Sequence, residues 1–361
     1  METYHINPFL FFLVESGKII CWDYKNHQQF ELEPDYFFRL LEITNRGLDS
    51  EKSNIDHDLI AENLISKNNS EVAWQWDALS KIFHIGTQDI PLAHSLENIE
   101  ESYKDYLTFC ENSTDTLPIF HTEKSGEKIT LPPPEFSALK NTDLFAVFKK
   151  RKTYRSFNST LIPLATISTL LFTTFGSFHS DWSELSQLGL EEMGVRKTSP
   201  SGGALHPSEA YLLAFHIDGL NPGIYHYQSH THTLTKISDA NLSNELGRLL
   251  SGQFFAEGLS AGVFATSRFE KIWGKYKHSR AYRVALFDIG HLSQTFQLCA
   301  TALDLHPWLT AMFDDSETIR LLNLTDTTEY PLFFMGVGIG DGSFLDEKFK
   351  NIIAENKIGN A

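Results

Sequence analysis

Apolar positions near the N-terminus come in two short runs, 7–14 (NPFLFFLV) and 18–23 (KIICWD), separated by Glu15-Ser16-Gly17. Runs of that length around a turn-forming dipeptide predict a β-hairpin. The period then changes. After Pro34, the apolar residues Phe37, Phe38, Leu40, Leu41 and Ile43 recur at helical spacing, and 57–67 (HDLIAENLISK) and 70–86 (SEVAWQWDALSKIFHIG) predict two further helices. A hairpin with small helices has the outline of a winged-helix-like peptide-binding or adaptor domain. A small α+β cap with no ligand fits the same pattern.

Residues 121–136 (HTEKSGEKITLPPPEF) are polar and then carry Pro132, Pro133 and Pro134, which fix φ and exclude helix. The domain boundary is placed here, giving units 1–125 and 126–361. Downstream, 143–157 (DLFAVFKKRKTYRSF) starts as a helix and ends in a cationic cluster. A second helix, 163–176, begins with Pro163 in its first turn, presents Leu164, Ile167, Leu170 and Leu171 along one face, and stops at Gly176. A polar stretch, 177–195, follows. The segment 199–217 (SPSGGALHPSEAYLLAFHI) is a loop feeding a helix or strand, and 223–227 and 231–237 alternate as two strands of a meander. From Tyr282 to Leu303 apolar residues recur every three or four positions, which predicts a long core helix. The run 331–340 (PLFFMGVGIG) is apolar throughout and predicts a strand buried on both faces.

With 361 residues the chain has room for two cores, and 42% hydrophobic against 21% charged residues is the balance of a globular protein. The formal net charge of −16 argues against general affinity for nucleic acid or anionic membranes, so an anionic ligand needs a local basic cluster. Cys21, Cys110 and Cys299 are widely spaced and odd in number, which fits a reducing cytoplasm. No stretch approaches the roughly 20 apolar residues that span a bilayer.

Three features can carry chemistry. Lys149, Lys150, Arg151, Lys152 and Arg155 form the densest basic cluster, suited to a phosphate because the guanidinium fork contacts its oxygens in pairs. A solvated helix end is the competing reading. In 199–207 (SPSGGALHP), adjacent glycines let backbone approach a planar ligand, although most such turns are only turns. In 273–283 (WGKYKHSRAYR), Lys275 and Tyr276 are adjacent. Their ordinary pKa values of about 10.4 and 10 are too high for a base at neutral pH, and burial or the nearby Lys271, Lys277 and Arg280 would lower the lysine. A solvent-facing basic loop is the alternative. Among the histidines, His226, His230 and His232 (HYQSHTHTL) suggest two ligands on one strand face, but no Cys, Asp or Glu accompanies them and no metal is assigned.

The order of these features, RKTYRSF, then SPSGGALHPSEAYL, then GIYHY, then KY ahead of a long helix, resembles the SagB-type branch of the nitroreductase superfamily, whose members oxidise azoline rings on ribosomally made peptides. The resemblance covers about 130–340. It implies an α+β fold, interlocked as a homodimer, with FMN at the subunit interface. It places Arg151, Lys152, Thr153 and Arg155 on the FMN phosphate, ribityl chain and pyrimidine side. Pro200, Ser201, Gly202 and Gly203 fall beside the isoalloxazine, and Thr310, Ala311 and Met312 near flavin N5. Lys275 and Tyr276 match the pair that removes the substrate proton. Two departures stand out: the C-terminal segment has Asp341 and no cation before Lys348 where the family brings one to the phosphate, and Tyr154 is bulky for its place.

The resemblance further implies a modified precursor peptide as substrate, a cyclodehydratase as partner, and an N-terminal domain that recognises peptide or docks partners. An NAD(P)H-dependent nitro, quinone or enone reductase and a catalytically silent docking subunit are the alternatives.

Overall fold

Ser16 and Gly17 both take left-handed φ, 51° and 78°, the geometry of a two-residue hairpin turn, and they close the hairpin expected at the N-terminus. The computed structural model describes residues 4–46, 48, 52–67, 73–91, 98–113, 121–179, 187, 196–325 and 328–356. The chain divides into two units, Met1–Thr108 with His278–Arg280, and Phe109–Lys277 with Ala281–Ala361.

The first unit contains β1 (His5–Ile6), β2 (Leu10–Glu15), β3 (Lys18–Asp23), β4 (Gln28–Leu32) and β5 (Ile65–Ser66). Strands β2, β3 and β4 form one antiparallel sheet, and β1 pairs with β5. Helix Pro34–Arg46 falls where periodicity placed it, whereas of the helix expected over 70–86 only Ala78–Gly86 is helical, because the Asp77 side chain caps the helix there by accepting from the Ser80 N–H. The helix expected over 57–67 instead runs Asn54–Ala61. It starts at a capping box between Ser53 and Asp56 and ends where Asn63 turns left-handed at φ 55°, freeing Ile65 and Ser66 to pair as a strand. Cys21 is fully buried in this core, and burial followed by the nearby Asp23 pushes its thiol up to about 12, so it is an inert packing residue.

The second unit contains β6 (Lys128–Thr130), β7 (Ile162–Pro163), β8 (Ser208–Ala214), β9 (Ile217–Asp218), β10 (Gly223–Gln228), β11 (Thr233–Ser238), β12 (Ala261–Arg268), β13 (His306–Thr310) and β14 (Glu329–Gly338). A seven-stranded antiparallel sheet has the order β13-β14-β12-β8-β10-β11-β6, and β7 pairs with β9 beside it. Both faces are covered. Ala210, Leu212 and Ala214 of β8 join the core that includes Ile167, Leu170, Ile289 and Phe296, whereas Tyr211 and Leu213 point into a second core with Phe264, Trp308 and Phe334. The expected helices appear as Leu144–Lys150, Leu164–Phe175 and Tyr282–Ala302. Strand β14 lies between β13 and β12, which explains its apolar run.

One strand assignment changes. β11 begins at Thr233, and His232 sits in the preceding turn at φ 52°, so His230 and His232 do not share a strand face. The polar stretch 177–195 lies mostly outside the described residues. No helix among the described residues is long and apolar enough to cross a membrane.

Candidate functional site

The Ser199–Pro207 loop is tied to one face of the Tyr282–Ala302 helix. Ser199 Oγ is 2.6 Å from Thr295 Oγ1, and the Ser201 hydroxyl and the Gly202 N–H both donate to the Asp288 carboxylate. Asp288 and Thr295 are seven residues apart, two turns of the helix, and so face the same way. Burial raises the Asp288 pKa, and the Ser201 and Gly202 hydrogen bonds oppose it. Beyond Gly202 the chain turns sharply: Gly203, Ala204 and His206 have φ of 63°, 57° and 43°. Non-glycine residues held in that region cost roughly 1–3 kcal/mol each. A bond within the loop, from His206 N–H to Ser201 Oγ at 2.9 Å, holds the turn.

Lys275 ends the short helix Phe269–Lys275, and Tyr276 caps it with an N–H bond of 2.8 Å to the Ile272 carbonyl. Helix and cap aim both side chains at the loop. Lys275 Nζ is 3.4 Å from the Gly203 carbonyl oxygen, and a β-carbon on Gly203 would lie 2.6 Å from the Tyr276 hydroxyl oxygen and 2.9 Å from Lys275 Nζ. At Gly202 it would lie 2.3 Å from Val284 Cγ1. The two glycines thus also allow close contact with protein, a use beside the approach to a planar ligand that the sequence suggested. Lys271, one turn before Lys275, is only 4% exposed; its ammonium faces Glu209 at 3.6 Å and the His206 carbonyl at 3.4 Å.

The basic cluster occupies a second region. Arg151 caps the Leu144–Lys150 helix and donates from Nη1 to Gln297 Oε1 at 3.2 Å. Tyr154 is buried and stacks on His306 with ring centroids 4.0 Å apart, while Lys152 and Arg155 stay exposed and Thr153 half-buried. The bulky tyrosine is therefore an anchor that leaves the cations on either side open to solvent. The Arg155 N–H donates to Ser343 O, Asn158 N–H to Ile339 O, and a β-carbon on Gly340 would meet Ser156 O at 1.8 Å, so the C-terminal segment lies directly against the motif. Asp341 is met there by Lys350, whose Nζ is 3.3 Å away, a cation that the sequence reading did not place near this segment.

Thr310 ends β13 and is buried, and Ala311 and Met312 follow it, both exposed. Gln253 Nε2 lies 3.2 Å from both Thr310 Oγ1 and the Met312 carbonyl, fixing the turn. The loop and Lys275–Tyr276 are brought into contact, whereas Arg151 attaches to the long helix nine residues beyond Asp288, about 13 Å along the axis. Asp288, Gln253, Gln297 and Glu209 support these groups and were not foreseen. Asp288 interrupts an apolar run between Phe287 and Ile289, which is the signal that marks it. Glu209 stands next to Ser208, Gln253 lies outside an element and Gln297 is one of several polar residues of its helix, and nothing in the sequence singles them out.

The histidines serve the scaffold. His226 bonds Glu209 at 3.2 Å, His232 bridges Ser168 and Tyr227, and His230 stacks on His121. Among the described residues no group of three or more His, Cys, Asp or Glu is placed to hold a metal ion.

This chain belongs to the nitroreductase family, which matches residues 148–339. It is 30% identical to the microcin B17-processing protein McbC of Escherichia coli over 62% of this chain and 80% of the relative. It is 36% identical to the trifolitoxin-processing protein TfxB of Rhizobium leguminosarum bv. trifolii over 31% of each chain. The likeness to two processing proteins accords with the SagB-type branch that the motifs resemble. A solved nitroreductase-fold structure from Anabaena variabilis aligns with a TM-score of 0.54 at 22% identity, covering 75% of this chain and 49% of that one.

Proposed function

We propose that the protein is an FMN-dependent dehydrogenase that oxidises azoline rings to azoles in a ribosomally made peptide. The observation that carries this reading is the convergence of Lys275 and Tyr276 on the Gly203 backbone, which presents an amine and a phenol together at one loop. Aromatising an azoline removes a proton from one ring carbon and a hydride from its neighbour. Lys275 and Tyr276 hold and move that proton, while Asp288 and the Ser201 hydroxyl fix the loop beneath them.

The donor set suits a phosphorylated flavin. Lys152 and Arg155 are exposed and Arg151 is half-buried, so a phosphate has cations to meet, and Thr153 adds a hydroxyl. Pro200, Ser201, Gly202 and Gly203, with Thr310, Ala311 and Met312, would line the ring. A bound FMN supplies the two-electron acceptor for the hydride, with molecular oxygen as the final oxidant.

Leu144, Phe145 and Phe148 are more than half exposed, as is Phe287 on the long helix, and a second copy of the chain would cover such surfaces in a homodimer. The N-terminal unit is assigned to recognition of the precursor peptide or docking of a cyclodehydratase. The flavin band of the purified protein tests the reading against an NAD(P)H-dependent reductase. The dehydrogenase keeps its oxidised spectrum when NADPH is added anaerobically without peptide; rapid bleaching by NADPH alone would replace this reading with the reductase.

A further inference from the structure

The Phe269–Lys275 helix carries two lysines one turn apart, and both reach carbonyls of the same loop. Lys271 Nζ is 3.4 Å from His206 O, and Lys275 Nζ is 3.4 Å from Gly203 O. Spacing of i, i+4 places them on one helix face. Their surroundings differ, since Lys271 is buried and Lys275 half-buried. A buried ammonium needs a counter-charge, and Glu209 provides it. This carboxylate, 12% exposed, stands at the start of β8 directly after the loop, with Oε1 3.6 Å from Lys271 Nζ and 3.7 Å from Arg268 Nη1, and Oε2 3.2 Å from His226 Nε2. Loop, strand and helix therefore meet at a single side chain.

We propose that Glu209 is a positioning residue for the Lys275–Tyr276 pair. By holding Lys271, it seats the Phe269–Lys275 helix on the Gly203–His206 turn, and the turn's left-handed His206 is held in place by the same lysine. The proposal rests on reading Lys275 and Tyr276 as the proton-transferring pair. Glu209 touches no reacting atom; its effect passes through Lys271 and the helix, and small displacements of a catalytic group cost rate steeply.

The test uses Glu209→Gln, which keeps shape and removes charge, in the full-length flavin-loaded protein. In the first measurement, lysines are dimethylated with formaldehyde and borohydride and the Lys275 to Lys277 labelling ratio is read by peptide mass spectrometry. The ratio should rise at least threefold as Lys275 leaves Gly203. In the second, kcat for an azoline peptide should fall at least tenfold with KM and flavin content unchanged, and Lys271→Arg, which keeps the cation, should retain at least a third of parental kcat. If Glu209→Gln does not fold, the charge-balanced pair Glu209→Gln with Lys271→Met takes its place under the same criteria. An unchanged labelling ratio overturns the proposal. A raised ratio in a protein whose parent shows no azoline oxidation supports the clamp and removes the azoline reading instead.

Discussion

A β-carbon on Gly203 would stand 2.6 Å from the hydroxyl oxygen of Tyr276, so these two residues touch across a gap that only glycine leaves. Gly203 also sits at φ 63°, where alanine is strained by roughly 1–2 kcal/mol. Gly203→Ala should lower the melting temperature by a few degrees and lower turnover by more than tenfold, because the displaced atoms are the ends of Lys275 and Tyr276. Paired thermal melts and rate measurements check this; a stability loss with parental turnover would separate the loop from the chemistry.

Within the basic cluster, Arg155 should read the phosphate and not the flavin ring. A hydrogen bond to a charged group contributes roughly 1.5–3 kcal/mol, so Arg155→Ala should weaken FMN binding by tenfold or more. Riboflavin, which lacks the phosphate, should bind parent and variant alike. Fluorescence titration with both ligands measures the difference, and an equal loss for the two would place Arg155 elsewhere.

Gly340 has no room for a side chain, since its β-carbon would lie 1.8 Å from the backbone oxygen of Ser156. Gly340→Ala must push the C-terminal segment off the 155–158 stretch, and forced overpacking of this kind costs roughly 1–3 kcal/mol. Lower melting temperature and weaker FMN retention are expected together. Normal FMN affinity in the variant would show that the segment does not shape the phosphate region.

Glu209 makes stability depend on acid pH. Burial acts to raise its carboxyl, but the His226 hydrogen bond and the charge of Lys271 outweigh burial and hold the pKa at about 2 against an ordinary 4.5. Because the folded value is the lower one, the stabilisation is complete above pH 4.5 and is lost as pH falls toward 2. The shift corresponds to something on the order of 3 kcal/mol. Melting temperature should fall less steeply over this window in Glu209→Gln than in the parent, and identical slopes would contradict the assigned partners.

Much of the fold was legible where a period persisted. The Leu164–Phe175 and Tyr282–Ala302 helices repeat apolar residues at helical spacing, β14 is a long apolar run, and the N-terminal hairpin is two short apolar runs about Ser16-Gly17. Strand β12, AGVFATSR, was not foreseen because small residues buried on both faces leave no alternation, and β4 has too few apolar residues to stand out. The helix expected to reach residue 67 stopped early because Asn63 accepts a left-handed turn, a choice fixed by the pairing of Ile65 with Ile6.

The site was legible as residue types and not as contacts. Arg155, Gly203, Lys275 and Tyr276 stood out by charge, by a glycine pair and by adjacency. That Lys275 and Tyr276 meet Gly203 depends on a strand, a helix and a cap arriving together, and Asp288 and Glu209 matter only through those long-range meetings.

The central claim is tested most directly by mass spectrometry of an azoline-bearing peptide incubated aerobically with the purified flavin-loaded protein and with Lys275→Ala and Tyr276→Phe. The account predicts loss of two hydrogens per ring with the parent and unchanged peptide with either variant while FMN remains bound. An unchanged peptide with the parent, or full conversion by both variants, would contradict it.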